Sequence, residues 1–461
     1  MNSMTDSRTK AGWIDLTLLV VFVLGMYLSV AIQLTKSIPF PNAPAGMVGM
    51  LMLFRQRHRI TQTHVNGFLL VALIYFASMF LAPDPLPMFN KRFTGLVQLM
   101  YSLVIGYAFF LTVTRASRKQ MATIFLCFCI FLIVGSLLES HTGLRAVSDR
   151  FRAAVYPSFN IYDADVRDMV IYGKIRPKLF TSEPSYVTFA FTLFAFAWFM
   201  FSERRGKLLG YLVLIGAGQI AMPGPTLLLA LALVVPYELF LGGRARAPGI
   251  DVQRVFKVGA LGLFLGTLAV ALAMTFYSER IKQFNSHGDT SFFFREIGPA
   301  LVAKYVVGHY PVAGAGLTSE KFLTNAVLGV YEHSPLFSTW QIPNIAEVLT
   351  NYFWLHWIYM GLLFGVLAAG GFYVWMRTLG VGSPLFCFAV WVVMGQSIGA
   401  YVGPRTWFVL LLAAAGAAMH REIKQPAGSA APAAAWQPVY PLRPQMQRSM
   451  RRPWLELPGR S

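Results

Sequence analysis

Two stretches of this sequence combine residue types that could do chemistry. The first is Lys174-Ile-Arg176-Pro-Lys178-Leu-Phe-Thr-Ser-Glu183-Pro-Ser-Tyr186, directly before an apolar run. Pro184 and Ser185 suit the first turn of a helix, with Ser182 or Glu183 near its N-cap. A helix N-terminus attracts anions, and Arg176 and Lys178 add full charges beside it. Arg can bind phosphate through two parallel N–H donors, which Lys cannot. The plainer reading of the same residues is juxtamembrane cations touching lipid phosphates, with Glu183 a simple cap.

The second stretch opens with Arg280 and Lys282 and runs from Asp289 to Gly316. Asp289 or Thr290 can cap a helix here, Gly308 can stop it, and Gly298-Pro299 should kink or restart it. Leu301, Val302, Tyr305 and Val306 form an apolar stripe that can lie on a membrane surface. Pro311 and Gly314-Ala-Gly316 predict a tight turn where backbone can approach a ligand closely. Beyond it come His333, then Asn344-Ile-Ala-Glu347, then Asn351-Tyr-Phe-Trp-Leu-His356 and Gly361-Leu-Leu-Phe-Gly365.

The familiar signatures of soluble enzymes are missing: no P-loop, no GxGxxG after a strand, no HExxH and no GxSxG. The histidines lack metal-ligand spacing. No metal and no cofactor is therefore expected. Cys127, Cys129 and Cys387 all fall in apolar runs, which reads as packing and not as a disulfide framework.

The elements that must position these residues follow from composition. The chain has 461 residues, 56% hydrophobic and only 13% charged, with a net charge of +19. Its mean hydropathy is +0.54. Soluble domains carry roughly 25% charged residues, so a soluble globular or disordered protein is excluded. Twelve apolar runs are candidate spanning helices of an all-α polytopic membrane protein. They cover about 12–33, 38–54, 65–82, 94–114, 121–138, 186–202, 208–222, 226–242, 257–277, 351–376, 383–400 and 405–420. The second and seventh are short and marked by Gly or Pro. Continuous blocks of this kind disfavour a β-barrel.

The polar gaps between the runs alternate in character. One set, with both termini, holds 23 Lys and Arg against five acids. The other holds 16 against 13. The positive-inside rule makes the first set cytoplasmic. The +19 then reports orientation and not a nucleic-acid partner. Helices 1–5 occupy 1–138, a first large outside loop 139–185, helices 6–9 186–277, a second large outside loop 278–350, and helices 10–12 351–420. The basic Ala- and Pro-rich tail, 421–461, reads as a disordered cytoplasmic segment near lipid headgroups. Asp15, Gln98, Gln219, Glu238 and Gln396 fall in apolar runs. Asp15 and Glu238 lie near run ends, where an interfacial position is the simplest account.

In this order and topology the motifs resemble the O-antigen polymerase and ligase superfamily. Its pattern has an Arg shortly before a Glu/Asn-Pro, here Arg176 with Glu183-Pro184-Ser185. An Arg-led amphipathic helix and Pro-x-x-Gly-x-Gly follow, here Arg295 with Pro311-Val-Ala-Gly314-Ala-Gly316. Last comes an Asn-aromatic pair before a Gly-rich helix, here Asn351-Tyr352 with Gly361 and Gly365. The resemblance covers about 170–365. Where ligases of this superfamily often carry His before the Asn, this chain has Thr350. Where some polymerases carry Gly eleven residues after Arg, Val306 follows Arg295, with Gly308 two residues on.

The resemblance implies a membrane glycosyltransferase, GT-C-like, in the bacterial inner membrane. Its substrate would be an oligosaccharide on polyprenyl pyrophosphate, joined at the periplasmic face to build O-antigen, capsule or exopolysaccharide. A chain-length regulator and other polysaccharide-assembly proteins would be its partners. Arg176 and Arg295 are then the leading pyrophosphate cations, with Lys178, Arg280 and Lys282 behind them. Glu183 is the first candidate base, and His333 or His309 the second. The plainer reading of either His is an exposed loop residue. The alternatives are a ligase acting on lipid A core and, in a different class, a lipid-linked oligosaccharide flippase or polysaccharide transporter.

Overall fold

Long apolar runs without interior charges can satisfy their backbone only as helices when lipid surrounds them, and helices dominate the computed structural model of the chain. The structure describes residues 11–35, 38–158, 161–242, 252–285, 292–334 and 348–424. The expected caps Asp289 and Thr290, the Asn344–Glu347 stretch and the tail from 425 lie outside these residues.

Each of the twelve runs contains a helix. In chain order these are α1 (Trp13–Leu28), α2 (Ala43–Arg55), α3 (Gln62–Leu81), α4 (Phe89–Val113) and α5 (Arg118–His141). Next come α6 (Leu144–Val155) and α7 (Asp165–Tyr172), both in the first large loop. They are followed by α8 (Pro184–Phe201), α9 (Lys207–Ala221), α10 (Thr226–Phe240) and α11 (Val252–Phe276). The second large loop holds α12 (Ser278–Asn285), a π-helical turn Phe293–Ile297, α13 (Gly298–His309) and α14 (Thr324–Glu332). The chain then enters α15 (Tyr352–Thr378), α16 (Pro384–Gly395) and α17 (Pro404–Lys424). Among the described residues six helices, α3, α4, α5, α8, α11 and α15, are long and apolar enough to cross a membrane. Five more apolar helices are shorter. Among the described residues the protein is thus a polytopic, all-α membrane protein apart from one small hairpin.

That hairpin corrects the second run. Strands β1 (Ile32–Thr35) and β2 (Ile38–Phe40) pair antiparallel, Ile32 opposite Phe40, and helix begins only at Ala43. Pro39 and Pro41 explain the delay, because proline disfavours helix in the residue before it and lacks a donor. Elsewhere local chemistry sets the starts. Ser117 and Gln120 form a reciprocal capping box on α5. Pro184 and Pro384 occupy first turns, where their missing N–H costs nothing.

Packing joins distant segments: α3 lies against α15, α4 against α17, α5 against α8, and α10 against α8 and α11. Polar contacts sort by helix end. Asp15, 2% exposed, pairs with Arg55 at 3.0 Å and Arg115 at 3.2 Å, so this acid is an ion-pair partner at a helix end. At the other ends, Tyr27 donates to the Leu179 carbonyl at 2.7 Å. Arg92, fully buried, donates to the Ala315 carbonyl at 2.9 Å and to Ser319 Oγ at 3.1 Å.

The Gly-x-Gly turn has a different target from the one expected. The backbone it approaches is α15 itself, which breaks at Gly361 (φ 64°, ψ −168°). Ala315 and Gly316 donate to the freed carbonyls of Ile358 and Tyr359 at 2.8 and 3.0 Å. Pro311 and Val312 carbonyls accept from Leu362, Leu363 and Phe364 at 2.8–3.0 Å. These five backbone groups opened by the break thus find partners in the turn, as a buried backbone requires. The stripe on α13 is also turned inward. Val302 and Val306 are buried, with α13 packed against α15 rather than laid on a membrane surface. Gly308 does not end α13, which runs to His309.

Candidate functional site

The first large loop is a scaffold of buried charge. Glu139, at the end of α5, accepts from the Lys178 amide at 3.2 Å and from the Leu179 amide. With the bond from the Phe180 amide to Ser148 Oγ at 2.9 Å, they hold Leu179 and Phe180 at positive φ, a costly backbone for non-glycine residues. Arg176 pairs with Asp168 at 2.8 Å, donates to Tyr162 Oη at 3.2 Å and lies over the Tyr172 ring at 4.6 Å. Burial acts against its charge, but Tyr172, Asp168 and Tyr162 outweigh burial and raise its pKa. Lys178 is buried and pairs with Asp165 at 3.1 Å. Burial, then Arg152, lower its pKa, with Asp165 opposing. Both cations are therefore engaged by carboxylates of their own loop.

Glu183 stands at the N-cap of α8, as its place before Pro184 suggests, and accepts from Ser185 Oγ at 2.7 Å. His333 and His309 are both exposed, each bonded to the carbonyl four residues back in its own helix, at 2.6 and 2.8 Å. Lys282 is exposed and pairs with Glu279 at 2.7 Å.

Arg295 and Arg280 differ from these. Arg295 sits in the π turn, and its backbone is clamped. Asn351, fully buried as the N-cap of α15, donates to the Arg295 carbonyl at 2.8 Å and to Gln396 Oε1 at 2.9 Å. Thr350 donates to the Phe294 carbonyl at 3.1 Å. Among the described residues no side chain ion-pairs or hydrogen-bonds with the Arg295 guanidinium. Burial lowers its pKa, Glu183 opposes that, and the positive charges of Arg280 and Arg176 lower it further. Arg280 donates to Tyr172 Oη at 3.1 Å, which ties the second loop to the first.

Arg280 and Arg295 line one cavity of ≈ 370 Å³ with Tyr277, Glu296, Gln396 and Ser397. Its remaining wall is largely apolar, formed by Leu228, Leu229, Ala273 and Phe292. Leu228 also lines a second cavity of ≈ 480 Å³ along α10, α11 and α16, walled by Leu231, Val235, Leu265, Ala269 and Val393. Two cations thus line a largely apolar cavity. No protein-family model matches the chain, and neither a curated protein nor a solved structure does.

Two residues of this region escaped the sequence reading. Glu296 lines the cavity, and burial raises its carboxyl to about 7 against the opposing charge of Arg295. Arg405, in the first turn of α17, lies over the Tyr186 ring at 3.7 Å and donates to the Tyr27 carbonyl at 3.4 Å. Tyr186 is within electrostatic reach of Glu183, Arg405 and Arg295. The available signal for Arg405 was an Arg following Gly403-Pro404 at the start of an apolar run. Among the described residues no cluster of His, Cys, Asp or Glu could hold a metal ion.

Proposed function

We propose that the protein is a glycosyltransferase of the inner membrane. It joins polyprenyl-pyrophosphate-linked oligosaccharide repeat units at the periplasmic face, building O-antigen, capsule or exopolysaccharide. In this reading all twelve apolar helices span the bilayer, both termini are cytoplasmic, and both large loops are periplasmic. The polar contacts support that arrangement: the basic loops meet one another around Asp15, while the two large loops meet at Tyr172 and Arg280.

The observation that carries the proposal is the cavity lined by Arg280 and Arg295 whose remaining wall is largely apolar. A lipid pyrophosphate has that same division of character. Breaking its glycosidic bond concentrates negative charge on the pyrophosphate, where fixed cations in a water-poor site stabilise the transition state most. Arg176 and Lys178 act by building the wall behind this site, since carboxylates already hold them. The acceptor hydroxyl must lose a proton as it attacks. Of the two leading sequence candidates, Glu183 is the one whose charge reaches Arg295, whereas His333 faces outward. Thr350 stands where ligases often carry His, which lowers the ligase reading, and donates to the Phe294 carbonyl.

Glycan from a strain lacking the protein tests the proposal. Single repeat units on the lipid carrier or on core are expected. Loss of all glycan from lipid A with polymer still on its carrier would assign a ligase. Carrier-linked units confined to the inner leaflet would assign a flippase.

A further inference from the structure

The proposed transfer needs a group to take the acceptor's proton, and among the described residues lining the arginine cavity there is one carboxyl, Glu296. Phe292, which precedes the π turn, and Arg295 and Glu296 within it lie close together in the chain. All three line the cavity. Arg295 and Glu296 belong to a π turn, a form frequently found at functional sites. It is fixed by the bonds from Thr350 and Asn351 to the carbonyls of Phe294 and Arg295. Among the described residues no hydrogen bond or ion pair occupies the Glu296 carboxyl. Glu183, by contrast, is bonded to Ser185 and is not a lining residue.

We propose, on the basis of the transfer reading above, that Glu296 is the general base of this site. The acceptor oxygen bonds to the anomeric carbon while its proton passes to a carboxylate oxygen of Glu296. The anomeric C–O bond to the diphosphate breaks, and its electron pair leaves on the lipid pyrophosphate beside Arg280 and Arg295. Glu296 then releases the proton to water. The titratable groups facing Glu296 across the cavity are Arg295 from its own turn, Arg280 from α12 and Tyr277 from the α11–α12 junction. The lining residues from α10 and the end of α16, including Thr226, Gln396 and Ser397, do not titrate. A carboxyl titrating near neutrality is well matched to proton transfer at physiological pH.

The test compares full-length wild type, E296Q, E296D and R295A in host membranes that carry the endogenous lipid-linked glycan, with polymer read on gels across neutral pH. A second measurement follows binding of farnesyl pyrophosphate to each purified full-length protein. E296Q should lower polymer formation by about 10²–10⁴-fold while still binding farnesyl pyrophosphate. E296D should retain part of the activity with a displaced acid limb. Polymer formation by E296Q near the wild-type rate would overturn the assignment. Loss of farnesyl pyrophosphate binding together with polymer would overturn it too, by making Glu296 a donor-site or folding residue. If wild type itself fails to bind farnesyl pyrophosphate, or binds no better than R295A, the transfer reading fails, whatever E296Q does.

Discussion

Arg176 and Asp168 form an ion pair 2.8 Å long, with the carboxylate 1% exposed and the guanidinium 13% exposed. The pair makes Arg176 a structural cation of the first large loop. Arg295, beside it in electrostatic reach, has no such partner among the described residues. Two arginines that look alike in the sequence therefore have different work.

The contrast gives a first prediction. D168A should destabilise the protein by about 3–5 kcal/mol, because it leaves a buried cation unpaired. R176K should recover little of what R176A loses, since one ammonium cannot reproduce two guanidinium donors and the stacking on Tyr172. R295A removes no paired group and should leave the melting temperature in detergent near wild type. Equal thermal losses in R176A and R295A would contradict this division.

Gly314 and Gly361 supply the second. A Cβ at Gly314 would lie 2.5 Å from the Gly361 amide and the Ile358 carbonyl, at a φ of +57°. Backbone cannot yield as a flexible side chain does, so G314A and G361A should each lower stability by about 1–3 kcal/mol or more. Gly308 sits in helix with open space around it, so G308A should be neutral or stabilising by up to about 1 kcal/mol. Thermal unfolding of the three variants tests the break in α15, and a harmless G314A would contradict it.

Glu296 gives a pH prediction whose sign is fixed. Its carboxyl titrates near 7, above its ordinary 4.5, so the folded protein binds the extra proton between those values. Folding stability from this group therefore falls as pH rises from about 4.5 through 7 and stays reduced above 7. E296Q removes the titration. It should be more stable than wild type above neutrality, with the difference vanishing in mild acid. A stability difference independent of pH would contradict the raised carboxyl.

Orientation is open to chemical labelling. His309 and Arg205 are both exposed but belong to opposite faces in the proposed topology. With exposed Cys127 first replaced by Ala, a membrane-impermeant maleimide added to the periplasmic side should label H309C and spare R205C. The reverse pattern would invert the topology.

Much of this architecture was legible in the chain. Every apolar run holds a helix because lipid leaves continuous apolar backbone little alternative, even where the second run opens as a strand, and Glu183 stands at the cap that Pro184 implied. Contacts between loops were not legible. Nothing local tells that Asp168 claims Arg176, or that Asp165 claims Lys178, since these bonds form only when the loop folds on itself. The Gly-x-Gly turn was read as open to a ligand because local sequence shows that backbone can approach closely, but not what it approaches. Glu296 was hidden by its own neighbour: as an Arg-Glu pair on an amphipathic segment it looks like a solvated face. Arg405 lies far from both loops in sequence and reaches the site only because α17 packs beside α1 and α8.

In the proposed reaction Arg295 holds the pyrophosphate of a lipid-linked glycan while the chain is lengthened. The most direct measurement is the length distribution of glycan from cells whose only copy of the protein is R295A, with its membrane level matched to wild type. Single repeat units on the lipid carrier or core, and no polymer, are expected. A normal ladder of polymer lengths from that strain would contradict this role of Arg295.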